Sequence, residues 1–169
     1  MQVLAALLSL AAAAAALQPH VVVILIDDWG HNNVGYNAAA QPNAAEIQTP
    51  VLDALAAGGI ILDRHYVFAF CSPSRSALHT GRNPIHVNVL NSDLASVNLE
   101  DPVSGFAGIP RNMTALPQKL ADVGYNTVSA GKWHIGLASP DHTPKGRGYS
   151  TSYVRGCALA PQQPLTATP

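Results

Sequence analysis

Residues 20–26, His-Val-Val-Val-Ile-Leu-Ile, limit the fold more than any other stretch of the chain. Six consecutive apolar and mostly β-branched side chains leave no polar face. A strand of that composition belongs inside a parallel sheet covered on both sides, as in an α/β layered domain. The run ends abruptly in Asp27-Asp28. Thr49-Pro50 then opens a helix through Asp53, Leu55 and Ala56, and Gly58-Gly59 closes it. Residues 60–67 read as a second strand, followed by the Cys71 loop and its helix. Leu116, Leu120 and Val123 fall at helical spacing before Gly124, and residues 126–130 read as a third strand. Strand and helix alternate, which predicts an α/β fold with a mostly parallel sheet flanked by helices. Residues 83–111, punctuated by Asn, Ser and Pro, read as a long surface loop, with Gly108-Ile109-Pro110 as loop punctuation.

At 169 residues the chain can bury a core of its own. Charged residues make up 11% of it and the net charge is −1, so no basic patch offers a nucleic-acid backbone a hold. Residues 1–17 form an Ala- and Leu-rich run, too short for a stable membrane span, with small residues at Ala12, Ala14 and Ala16. We read it as a signal peptide, although it has no Lys or Arg near its start. Asn112-Met113-Thr114 is a glycosylation sequon consistent with a secreted chain. After Gly148 apolar periodicity ceases, so residues 149–169 read as an irregular or non-native tail.

Three clusters carry groups capable of chemistry. Asp27-Asp28 lies where open α/β sheets place ligands, at the carboxyl end of a strand. Two adjacent carboxylates repel one another, and a hard divalent cation relieves the repulsion. An ordinary strand-to-turn boundary accounts for the pair equally well. In Cys71-Ser72-Pro73-Ser74-Arg75, Ser72 suits a helix N-cap, Pro73 the first helical position and Gly81 the stop, which holds Cys71 near the positive end of the helix. Cys71 and Cys157 would pair only at the loss of that group, so we expect no disulfide. In Gly131-Lys132-Trp133-His134, the two-residue spacing of Lys132 and His134 points both to one side of an extended backbone, as an anionic ligand requires. The loop Lys145-Gly146-Arg147-Gly148 is a weaker candidate for holding phosphate or sulfate. His31, His65, His79 and His86 have no partner at ligand spacing and read as structural or surface residues.

In order along the chain, Ile26-Asp27-Asp28-Trp29-Gly30, Thr49-Pro50 with Leu52-Asp53, the Cys71 pentapeptide with Gly81-Arg82, and Gly124-Tyr125 through His134 resemble the N-terminal signatures of the sulfatase family. The likeness is nearest to its arylsulfatase B-like branch and runs from about His20 to Gly148. It implies an alkaline-phosphatase-like sulfatase catalytic domain, of which residues 18–148 are the N-terminal part. His79 departs from the family pattern at a position usually apolar, and we expect it to change packing more than chemistry.

The resemblance implies that a formylglycine-generating enzyme oxidises Cys71 to an aldehyde during passage through the secretory pathway. Hydrated to a geminal diol, that group attacks the sulfur of a sulfate ester, and its second hydroxyl then expels sulfate. Asp27, Asp28 and the group made from Cys71 are implied as metal ligands, with Ca²⁺ ahead of Mg²⁺. Arg75 is implied to hold the modified side chain and its metal ligands, Lys132 to contact the sulfate, and His134 to hydrogen-bond the diol. The implied partners are a sulfated small molecule or glycan, and the implied location is secreted, lysosomal or otherwise luminal. The family also uses a later His and Lys and a later Asp-Asn pair, and no Asp, Asn, His or Lys follows Gly148. Ser150 stands where the pattern favours Asp. The sequence therefore reads as a sulfatase carrying the nucleophile half of its site, truncated or ending in an unrelated tail. The competing readings are a non-catalytic sulfatase fragment and a formylglycine-dependent phosphonate or phosphodiester hydrolase.

Overall fold

The computed structural model describes residues 18–87 and 108–155, with the backbone alone at Arg155. The signal-peptide segment, residues 1–17, lies outside the described residues, as do Cys157 and residues 88–107 of the expected surface loop. Among the described residues, no helix is long and apolar enough to cross a membrane. The chain divides into two compact units, Met1–Gln48 and Thr49–Pro169.

In the first unit the expected strand over residues 20–26 does not form. These residues are neither helix nor strand, and Val22 and Ile24 are 80% and 74% exposed. An apolar run becomes a buried strand only if a neighbour satisfies its N–H and C=O groups. The single ladder among the described residues lies in the other unit. Asp27-Asp28 therefore occupies a turn rather than a strand end. One 3₁₀ turn at His31–Asn33 and a short helix α1, Gly35–Ala38, follow. The Asn37 side-chain amide ties them by donating to the His31 carbonyl at 3.0 Å.

The second unit begins with α2, Pro50–Ala57, bounded as its sequence predicts. Residues 60–67 form no strand, and Ile60 is 90% exposed, for the reason that applies to residues 20–26. Helix α3 spans Cys71–Thr80, with Phe70 as its extended N-cap. Cys71, not Pro73, is thus the first helical residue, and Ser72 lies inside the helix. Pro73 is tolerated there because the first-turn N–H groups have no partner within the helix in any case. Gly81 ends α3 in the left-handed conformation at φ 66°, its N–H on the Ala77 carbonyl at 2.8 Å.

Helix α4, Leu116–Asp122, leads through Gly124 at φ 89° into β1, Val128–Lys132, two residues later than expected. Strand β2, Thr151–Arg155, arises in the stretch that reads as irregular. It pairs parallel with β1 in the register Val128↔Thr151 to Lys132↔Arg155. A parallel pair needs a crossover connection, and here it carries Trp133 and Ile135 of the core. Ile109, Trp133 and Ile135 are buried together, with Val87, Met113, Leu137, Tyr149 and Val154 packed around them. Gly108-Ile109-Pro110 is thus buried structure and not loop punctuation. The fold is the coarser part of what the sequence predicts: helices with a small, two-stranded parallel sheet.

Candidate active site

Helix α3 presents Cys71 at its first turn. The Ser74 N–H donates to the Phe70 carbonyl at 3.2 Å, which starts the helix. The Ser74 hydroxyl also donates to the Phe68 carbonyl at 2.6 Å, securing the approach to Cys71. Cys71 is half-buried, so it is held in place yet reachable.

One turn further along the same helix face lies Arg75, only 7% exposed. Its Nη1 donates to the Lys132 carbonyl at 2.7 Å, across 57 residues of sequence. The contact anchors the last residue of β1 to α3. Lys132 Nζ then lies 3.2 Å from Cys71 Sγ as a donor. Cys71, Arg75 and Lys132 are therefore brought together, with the cation directly on the sulfur.

His134 lies two residues beyond the end of the strand and is 7% exposed. Its φ is 55°. The alternating geometry expected to point Lys132 and His134 the same way ends with β1 and does not reach His134. Among the described residues, the non-glycine positions with positive φ are Asp28, at 52°, and His134. Such conformations need outside support and concentrate at functional sites. Asp27 and Asp28 are exposed on their turn in the first unit.

The support beneath Lys132 and His134 comes from Trp133, 3% exposed, whose Nε1 donates to the carbonyls of Gly136 at 2.7 Å and His142 at 3.0 Å. The rings of Trp133, His79 and Tyr149 meet edge to face, with centroids 5.1 Å apart for His79–Trp133 and 6.1 Å for Trp133–Tyr149. His79 Nδ1 bonds the Arg75 carbonyl at 2.8 Å, which requires its proton there, and Nε2 accepts from the Tyr149 hydroxyl at 3.1 Å. Burial holds the His79 imidazole below its ordinary pKa. The bond to Arg75 opposes this, and the charges of Arg75 and Arg147 reinforce it. Burial also raises the Tyr149 phenol. His79 is thus a packing residue, as its sequence position suggests, but one that binds the backbone of Arg75. Nothing in its spacing signals Tyr149 as a partner, because the two residues are 70 positions apart.

Arg147 does not reach outward for a phosphate or sulfate. It is 2% exposed, and its guanidinium donates to the carbonyl of Arg111 at 3.3 Å and to that of Met113. His31, His65 and His86 are exposed, as expected of surface residues.

The family model described as Sulfatase matches residues 19–163. The chain is similar to mouse arylsulfatase J, 40% identical over 136 residues that cover 80% of this chain and 21% of that protein. It is also similar to mouse N-acetylgalactosamine-6-sulfatase, 37% identical over 82% of this chain and 26% of that protein. The crystal structure of Ps i-CgsB in complex with k-i-k-neocarrahexaose superposes with a TM-score of 0.67 at 32% identity, covering 82% of this chain and 28% of that one. The chain thus spans about a quarter of the length of the curated relatives it matches.

Proposed function

The chain belongs to the sulfatase family, and on that premise we propose that it supplies the nucleophile side of a sulfuric ester hydrolase. The substrate is an aryl or carbohydrate sulfate, and Cys71 is oxidised to formylglycine in the secretory pathway. The observation that carries this reading is the contact of Lys132 Nζ with Cys71 Sγ at 3.2 Å, with Arg75 holding the Lys132 backbone.

A thiol needs no such cation to pack, whereas an oxygen nucleophile acting on a sulfate does. The hydrated aldehyde supplies one hydroxyl to attack sulfur and a second to release sulfate. Lys132 donates to the oxygen that replaces Sγ and offsets charge on the sulfate. Cys71 begins a ten-residue helix, so the positive end of that helix faces the same charge. Arg75 acts through position, since its guanidinium is committed to the Lys132 carbonyl. His134 hydrogen-bonds the hydrated group.

The resemblance implies Asp27 and Asp28 as metal ligands in this reading. Adjacent exposed carboxylates on a turn form an all-oxygen donor set, which suits Ca²⁺ with its irregular coordination better than octahedral Mg²⁺. The cation, when bound, orients sulfate oxygens and favours the ionised nucleophile.

The test is the mass of the Cys71 peptide from the full chain secreted by a eukaryotic host. Conversion of thiol to aldehyde removes about 18 Da. An unmodified thiol or a Cys71–Cys157 disulfide would overturn the proposal. Release of sulfate from an aryl sulfate by the same preparation, abolished in Lys132→Met, separates an active hydrolase from a modified but non-catalytic chain.

A further inference from the structure

The proposed reaction leaves the segment Arg111-Asn112-Met113-Thr114 without a role, yet the fold holds it in a specific way. The Met113 N–H donates to the Pro110 carbonyl at 3.0 Å, closing a turn with Asn112 at its third position. Side chains then alternate. Asn112 and Thr114 are exposed, whereas Met113 packs against the Ile109–Trp133–Ile135 core. Arg147 binds this segment from the inside through the carbonyls on either side of Asn112, those of Arg111 and Met113. The core therefore uses the backbone and the Met113 side chain, leaving the Asn112 amide and the Thr114 hydroxyl on the solvent side.

We propose that Asn112 is a glycosylation site and that this turn displays an N-linked oligosaccharide outward. Asn112-Met113-Thr114 is the one Asn-x-Ser/Thr sequon in the sequence, with x other than Pro. The co-reactant is an oligosaccharide carried on a lipid pyrophosphate. A bond forms between Asn112 Nδ2 and the anomeric carbon while the anomeric C–O bond to pyrophosphate breaks. The lipid pyrophosphate leaves, and the amide proton passes to a base. No oxidation is involved. Arg147 and Trp133 follow the sequon in the chain, so transfer to the emerging segment precedes the pinning of its backbone. Folding then closes beneath the glycan without needing the Asn112 side chain or the Thr114 hydroxyl.

The inference rests on the passage through the secretory pathway proposed above. Its test uses the full chain secreted from a eukaryotic host, with the Asn112 and Cys71 peptides weighed in one sample. The expected result is a glycan on most Asn112 peptides, removed by peptide N-glycosidase to leave Asp, about 1 Da heavier than Asn. Asn112→Gln and Thr114→Ala abolish it, and Thr114→Ser retains it. A bare Asn112 beside an aldehyde at position 71 overturns this inference and leaves the proposed function standing. A glycan beside an intact Cys71 thiol supports the inference and overturns the proposed function. If both residues are unmodified, both readings fail.

Discussion

The most informative residue is Lys132, because its two ends are held by different parts of α3. Its carbonyl accepts from Arg75 and its ammonium meets Cys71. Removing the guanidinium leaves that carbonyl without this bond and opens space beside a buried helix turn. We expect Arg75→Met to cost about 2 kcal/mol, read from the urea midpoint. Arg75→Lys should restore little of it, since an ammonium on a shorter, flexible stem does not reproduce the planar donor. The buried histidines set a pH dependence. His79 is held neutral chiefly by burial, and His142 by burial together with Arg147 and Arg111 against the opposing pull of Asp141. The unfolded chain binds protons at these imidazoles once pH falls below about 6.5, and the native state resists until lower pH. Stability should therefore be full above that value and fall as pH drops through the window beneath it. Urea midpoints between about pH 7 and about pH 5 measure the slope, and His79→Leu should flatten it.

At the scale of elements, most helix ends were legible, whereas of the three expected strands only β1 formed, two residues late. Thr49-Pro50 and Gly58 bound α2, and Gly81 ends α3, because caps depend on residues one turn away. Residues 20–26 are almost wholly apolar and residues 60–67 largely so, yet neither has a ladder, whereas Thr151–Arg155 has no marked pattern and pairs with β1. Composition states what a strand would bury, but pairing depends on a partner far away in sequence. Glycines separate the two kinds of constraint. At Gly81 a Cβ meets open space and only the positive φ opposes a side chain, so Gly81→Ala should cost about 1 kcal/mol. At Gly108 a Cβ would lie 2.7 Å from the Ile135 carbonyl oxygen and 2.8 Å from Gly136 Cα. Gly108→Ala must push the buried crossover aside and should cost more, about 2–3 kcal/mol. The order of the two variants in a thermal melt checks the assignment, and equal losses would contradict the close approach.

For the whole molecule, the consequence of the proposed site is a linkage between cation binding and stability. If Asp27 and Asp28 hold Ca²⁺, the cation should raise the melting temperature of the full chain, by about 2.7 kcal/mol of stabilisation at one hundred times its Kd. EDTA should reverse the gain, and Asp27→Asn or Asp28→Asn should remove it. A melt unaffected by Ca²⁺ in the unsubstituted chain would contradict the metal assignment. Family membership was readable from the sequence alone, since each signature is a short local run: a cysteine before a helix, two adjacent carboxylates after an apolar run, a Gly-Lys-Trp-His after a strand. Only the tertiary structure decided that Lys132, Arg75 and Cys71 meet and that Arg147 turns inward to bind backbone. It likewise assigned Ile109, within an apparent loop, to the core. These contacts join residues tens of positions apart, where close packing and the need to satisfy buried polar groups select the partner.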